Sequence, residues 1–230
     1  MNRRLFLSSA TSLFFLAFSS CSFLEPQGDI RYRITLEVDT PSGIKTASSV
    51  WEARLHEALA AFEHGKYQWD YSGEAIVLDL PEGTLFGLLR SENEVQLPVA
   101  IMRDQIIATK ASDWRKSWIK LAPRWKNEKL AFELPRSNYP MLVRFRDIKE
   151  PKSVEQVDPD DLAASFGPGI GLRRITVEVT DSPVTTGIEK ILNWLPSIHG
   201  NLLPKIDNSA KTSPFGLQGV DFSTEIFNEY

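Results

Sequence analysis

Apolar and polar residues alternate without a break from Arg31 to Val38. Tyr32, Ile34, Leu36 and Val38 fall on one side, and Arg31, Arg33, Thr35 and Glu37 on the other. A period of two with one apolar face predicts a half-buried strand. Leu172 to Thr180 repeats the pattern, with Ile175, Val177 and Val179 set against Thr176, Glu178 and Thr180. The two stretches share a form, Arg33-Ile-Thr-Leu-Glu-Val and Arg174-Ile-Thr-Val-Glu-Val. Convergence on a good strand pattern explains the echo; an internal duplication is the alternative. A one-residue slip would expose every apolar side chain of either strand, so Tyr32, Ile34, Leu36, Val38, Ile175, Val177 and Val179 are the expected core.

Other stretches are read by the same rule. Thr40-Pro41-Ser42-Gly43 has the chemistry of a type I turn, so Ile44 to Arg54 should pair back as a hairpin. Leu55 to Phe62, rich in Ala, Leu and Glu, predicts a short helix. Lys66 to Tyr71 and Glu74 to Leu80 predict a second hairpin, closed by Pro81-Glu82-Gly83. Thr84 to Leu89 is apolar and ambiguous between helix and strand, and Val95 to Ile107 is apolar but broken by Pro98 and Arg103-Asp104. Leu130 to Leu134 and Met141 to Arg146 read as strands. A short helix should open at Asp158-Pro159 and end at Gly167. Thr186 to Leu195 predicts a helix with Thr186 and Glu189 as capping box, Ile188, Ile191, Leu192 and Leu195 as one face, and Pro196 as stop. Residues 200 to 230 show no strong period before Val220 to Phe227.

These elements predict a mostly β fold: a single antiparallel, sandwich-like domain with two or three short helices. It should occupy residues 30–230, with 93–135 as a candidate insertion.

The first 21 residues follow another logic. Arg3 and Arg4 precede an apolar run, Leu5 to Phe18, of about 14 residues, short of the ~20 that a spanning helix needs. Ser19, Ser20 and Cys21 follow. This order resembles the lipobox of bacterial lipoproteins, with Phe18 where Leu is usual. The resemblance implies a signal peptide at 1–20, lipid on Cys21, and a tether over 21–29. An ordinary secretory signal is the alternative. Cys21 is the single cysteine, and a free thiol in an oxidising compartment is a liability. Asn2-Arg3-Arg4-Leu5-Phe6-Leu7-Ser8 is also similar to a twin-arginine export signal in its arginine pair and Phe-Leu. That class of signal implies folding before export; a general secretory signal is the other reading.

Charge narrows the function classes. Removing Arg3 and Arg4 with the leader leaves 24 basic side chains against 30 acidic ones, a net −6. No nucleic-acid footprint is present at that scale. With Cys21 acylated, no disulfide, thiolate nucleophile or cysteine metal site remains.

Longer stretches look like a family of exported bacterial proteins with no established activity. They are Arg31 to Val38 with Pro41-Ser-Gly, Gly73-Glu-Ala-Ile-Val-Leu-Asp-Leu, Tyr139-Pro-Met-Leu-Val-Arg-Phe, and Phe166-Gly-Pro-Gly with Arg174 to Lys190. The likeness covers roughly half of the mature chain and carries no site residues with it.

Motifs for catalysis are incomplete. His56-Glu57 starts like a zinc-protease helix, but Ala60 stands where the second imidazole must be, and His64 lies two turns away. No Gly-x-Ser-x-Gly elbow occurs. Gly167-Pro-Gly-Ile-Gly precedes a strand rather than opening a helix, so it reads as a turn. Acids gather at Asp147, Glu150, Glu155, Asp158, Asp160 and Asp161, but a calcium loop would need Gly and Glu where Ala163 and Gly169 stand. No pair of carboxylates can be nominated for glycoside hydrolysis. No metal and no cofactor are therefore expected.

One segment carries a lead. Residues 110–129 hold Trp114, Trp118 and Trp125 among Lys110, Arg115, Lys116, Lys120, Arg124, Lys126 and Lys129. On a helix from Asp113 to Ala122, Trp114, Trp118 and Leu121 share a face. Trp114, Arg115, Lys116, Trp118 and Lys120 are the candidate surface-binding residues, suited to an anionic lipid or a glycan. The alternative packs the tryptophans on the sheet and solvates the cations. The expected function is that of an envelope lipoprotein, facing the periplasm, which binds an envelope partner or serves a structural or accessory role. A hydrolase of cell-wall glycan or peptide is the alternative.

Overall fold

The computed structural model describes residues 28–57, 67–198 and 216–224. Strand β1 (Ile30–Thr40) turns at Pro41-Ser42 into β2 (Gly43–Glu57), as the turn chemistry predicts. Thr40 Oγ1 donates to the Gly43 carbonyl at 2.6 Å and accepts from the Ser42 N–H at 3.3 Å. The late strand Gly171–Val179 pairs antiparallel with β1, so the two echoing sequences are direct neighbours. Running the same Arg-Ile-Thr-x-Glu-Val form in opposite directions sets Thr35 against Thr176, Arg33 against Glu178 and Glu37 against Arg174. Opposite charges therefore face each other on both sides of the centre, and Arg174 reaches Glu37 at 3.0 Å.

Strand β3 (Tyr67–Ser72) lies beyond β2; the chain then forms β4 (Ile76–Leu80) and β5 (Gly83–Gly87). Two helices follow, α1 (Leu97–Ile107) and α2 (Trp114–Glu128). Next come β6 (Ala131–Glu133), β7 (Leu142–Phe145), β8 (Val154–Val157), the single-turn α3 (Ala163–Phe166), and β9, the Gly171–Val179 strand. One sheet has the order β3-β2-β1-β9-β6 and the other β4-β5-β7-β8, all antiparallel. Among the described residues strand outweighs helix, 38% to 27%, and the sandwich-like class stands.

The seven expected core residues are all at most 2% exposed. They join α1, α2, β4 and β5 residues in one large apolar cluster. A second cluster backs the smaller sheet, where Phe86, Phe145, Trp194 and Phe222 meet edge to face. Residues 93–135 supply α1, α2 and β6. The helices pack on β2 and β3, and β6 is an edge of the larger sheet.

Four local expectations are corrected. First, β3 and β4 do not form a hairpin. Between them, Gly73 (φ 151°) carries the chain beneath Trp51 from one sheet to the other. A Cβ there would come 2.7 Å from Trp51 Cδ1. Trp51 Nε1–H and Ser49 Oγ–H both donate to the Glu74 carbonyl at 2.7 Å and fix the crossing. Gly73→Ala should lower stability by about 1–3 kcal/mol through backbone strain alone, measured by denaturant unfolding. An unchanged midpoint would contradict this.

Second, Leu55, His56 and Glu57 end β2 rather than start a helix, and the remainder of that expected helix lies outside the described residues. Third, Thr186 to Leu195 is not one helix. It contains a 3₁₀ turn, Ile188–Lys190, and a second turn starts at Leu195. Gly187 has φ 113°, and the Ile188 N–H donates to the Glu74 carboxylate at 2.9 Å instead of to a Thr186 cap. Fourth, Asp158 closes a turn onto the Asp160 N–H at 2.9 Å, and the helix starts only at Ala163. Gly167 ends it with φ 90°, as expected. The ambiguous run Thr84 to Leu89 resolves as strand β5 through Gly87.

The segment 216–224 is inserted between elements distant in sequence. The Ala75 N–H donates to the Phe222 carbonyl at 2.8 Å, Leu89 N–H to Asp221 at 2.9 Å, and Thr224 N–H to Gly73 at 3.0 Å.

Candidate functional site

Helix α2 starts where Asp113 accepts the N–H groups of Arg115 and Lys116, and it runs past Pro123 to Lys129 in the left-handed conformation. It is longer than the Asp113 to Ala122 span read from the sequence. Trp118, Ala122 and Trp125 recur three or four residues apart and form its buried face. Lys116, Lys120 and Arg124 repeat every four residues on the exposed side.

Trp118 leaves the surface-binding set. It is 0% exposed, and its Nε1–H donates to the Gly28 carbonyl. The reason is the neighbouring chain: Gly28 fits against the indole only because it has no Cβ, which would sit 2.5 Å from Trp118 Cδ1. The Gly28 N–H in turn donates to the Leu55 carbonyl at 2.8 Å. The described chain thus begins in a notch between α2 and the end of β2.

The other four candidates stay at the surface or its rim. Trp114 is half-buried, edge-on to Trp118 at 6.3 Å. The Arg115 guanidinium lies 4.5 Å from the Trp114 ring centre and 5.5 Å from that of Trp69. Cation–π attraction holds it there without consuming its N–H donors. Among the described residues it has no carboxylate or hydrogen-bond partner. Lys116 and Lys120 are exposed, with Asp113 3.9 Å from the Lys116 ammonium.

Sequence reading missed Trp69 and Gln96. Trp69 lies on β3, an edge strand, on the inner face that also carries Tyr67 and Tyr71. It remains 37% exposed at the rim, and its Nε1–H donates to Gln96 Oε1 at 2.7 Å. The aromatic alternation Tyr67, Trp69, Tyr71 was the available signal.

Cys21, Arg3, Arg4 and His64 lie outside the described residues. His56 Nε2 lies 3.4 Å from Gln68 Oε1. The acids noted in the sequence serve turns and ion pairs. Asp147 and Glu150 accept the N–H groups of Lys149 and Lys152, Glu155 meets Arg144 and Arg146 at 3.0 Å, and Asp160 holds Arg136 at 3.0 Å. No group of three or more metal-type side chains comes together among the described residues.

A second polar cluster is internal. Arg90, 2% exposed, lies 3.6 Å from Asp221, which also accepts the Gln218 N–H at 2.7 Å. Burial raises the Asp221 carboxyl above its usual range, against the pull of Gln218 and Arg90. Tyr71 is pushed up to about 12, by burial first and by Asp221 second. Burial likewise raises Glu74, whose carboxylate accepts from Ile188 and Ser223. The partners of these groups are the chain's own backbone and side chains, and they bind the 216–224 segment into the fold.

The surface also carries shallow hollows among the described residues. One of about 200 Å³ is lined by Glu92, Arg136, Tyr139, Gln156 and Pro159 among others, with Gln156 bonded to Glu92 at 2.9 Å. Another, about 210 Å³, mixes Lys126 and Lys129 with Glu178 and Asp181. Both are smaller than the ~300–1,000 Å³ of pockets that bury small ligands. No family model, curated protein or solved structure matches this chain. Among the described residues, no helix is long and apolar enough to cross a membrane.

Proposed function

We propose that this chain is a lipid-anchored protein of the bacterial cell envelope, facing the periplasm, that works by binding or in a structural role rather than by catalysis. The order of basic, apolar and small residues before the lone Cys21 carries the reading. The fold is consistent with it: Gly28, seven positions later, is seated in the Trp118 notch, so a tether from Cys21 would be fixed to the domain at its first described residue. The buried acids and Arg90 are engaged in holding the fold together, which supports a non-catalytic role.

Fractionation of wild type and Cys21→Ser tests the anchor. Wild type is expected in the membrane pellet and the variant in the soluble envelope fraction. Equal partitioning of the two would defeat the reading.

A further inference from the structure

We propose that the exposed face of α2, with Trp69 and Trp114 at its rim, lies on the anionic phospholipid headgroups of the membrane that holds Cys21. The proposal rests on the anchored reading above and adds an orientation and a lipid class to it.

The first support is charge. Residues 110–129 carry five lysines and two arginines against Asp113 and Glu128, a net +5 in a chain whose net charge is −4. The rest of the molecule is therefore strongly acidic, and an anionic surface would attract this segment while repelling the remainder.

The second support is reach. Gly28 stands seven positions after Cys21, and seven steps of ~3.3–3.6 Å span at most about 25 Å. Gly28 is bonded to Trp118 on the inner face of α2. The outer face of the same helix is only about one helix diameter away, ~10–12 Å. A lipid on Cys21 therefore keeps the Lys116, Lys120 and Arg124 row within reach of the bilayer surface, at high local concentration.

The third support is the chemistry at the rim. The Arg115 guanidinium lies over the Trp114 and Trp69 rings with its donors unspent among the described residues. A guanidinium so placed can take two oxygens of one phosphate. Trp69 is partly exposed beside it with its Nε1–H already satisfied by Gln96. Indole rings with an apolar body and a polar edge favour the headgroup level of a bilayer.

The test uses the lipidated chain, purified from membranes and reconstituted on neutral and on anionic phospholipid vesicles. Surface lysines are modified with an amine reagent and read peptide by peptide. Lys116 and Lys120 should label more slowly on anionic vesicles, with about fivefold protection for each cation engaged. Lys149 and Lys152, exposed between β7 and β8, should label alike on both. High salt should abolish the protection while the chain stays on the vesicles. Arg115→Ala should weaken protection at Lys116 and Lys120 while leaving the unfolding midpoint in denaturant nearly unchanged; a large fall in that midpoint would reveal unfolding. In that event Lys116→Gln, at an exposed position, read at Lys120, replaces it.

Equal labelling of Lys116 and Lys120 on the two vesicle types would overturn the docking and leave the anchor standing. Protection on neutral vesicles by a soluble anionic glycan, with none on anionic vesicles alone, would assign the face to glycan and overturn the lipid assignment. A chain that neutral vesicles fail to retain would defeat the anchor itself and the docking with it.

Discussion

Trp118→Ala is expected to cost about 3–5 kcal/mol of unfolding free energy, the range for a large aromatic deleted from a core. The ring is 0% exposed, edge-on to Trp114, and capped by Gly28. Truncation leaves a cavity between α2 and the end of β2 and removes the donor to the Gly28 carbonyl. The measurement is denaturant unfolding, where the midpoint should fall with little change in slope. Trp118→Phe separates the two contributions, since it keeps most of the volume and loses only the N–H. A loss below about 1 kcal/mol in Trp118→Ala would return the residue to the surface-binding set.

Arg90→Leu should be comparably severe, about 3–5 kcal/mol, because it strands the buried Asp221 carboxylate. Adding Asp221→Leu should recover much of the loss, since no lone charge then remains. Acidity should act on this pair with a definite sign. Burial sets the folded Asp221 and Glu74 carboxyls above their usual values. Between the ordinary carboxylate value, ~4, and the raised folded one, the folded state binds more protons than the unfolded state. Within that window their contribution to stability falls as pH rises, and it is restored as pH falls. Without Arg90 the Asp221 carboxyl should rise further, so the deficit of Arg90→Leu should be larger at neutral pH than in mild acid. A deficit that grows on acidification would contradict this assignment.

How much of this was legible varies with the kind of interaction. Alternation in β1 and β9 fixed which side chains are buried, because a half-buried strand has only two registers of face. Alternation does not name a neighbour. The runs now seen as β3 and β4 were each strand-like, but Gly73 turns the chain into another sheet, and only the Trp51 indole above it explains why. Helical spacing misled at Ile188, Leu192 and Leu195. Two short turns bury the same three side chains, leaving Ile191 42% exposed, because Glu74, more than a hundred positions earlier, takes the first N–H. The 216–224 segment was opaque for a similar reason, since Thr224 bonds to Gly73 across 151 positions.

The candidate site was half legible. The tryptophans and their spacing gave a helix here and its basic face, though not its full length. They could not say which indole lies beneath the chain at Gly28 and which meets Trp69 from β3, because that depends on where α2 crosses the rim of the sheet.

The claim on which the functional account turns is the lipid on Cys21. Intact mass and N-terminal peptide analysis of the chain extracted from bacterial membranes measures it directly. The chain is expected to begin at Cys21 with a diacylglyceryl group on its sulfur. A mature chain with an unmodified Cys21 thiol, or one cut after that residue, would contradict it.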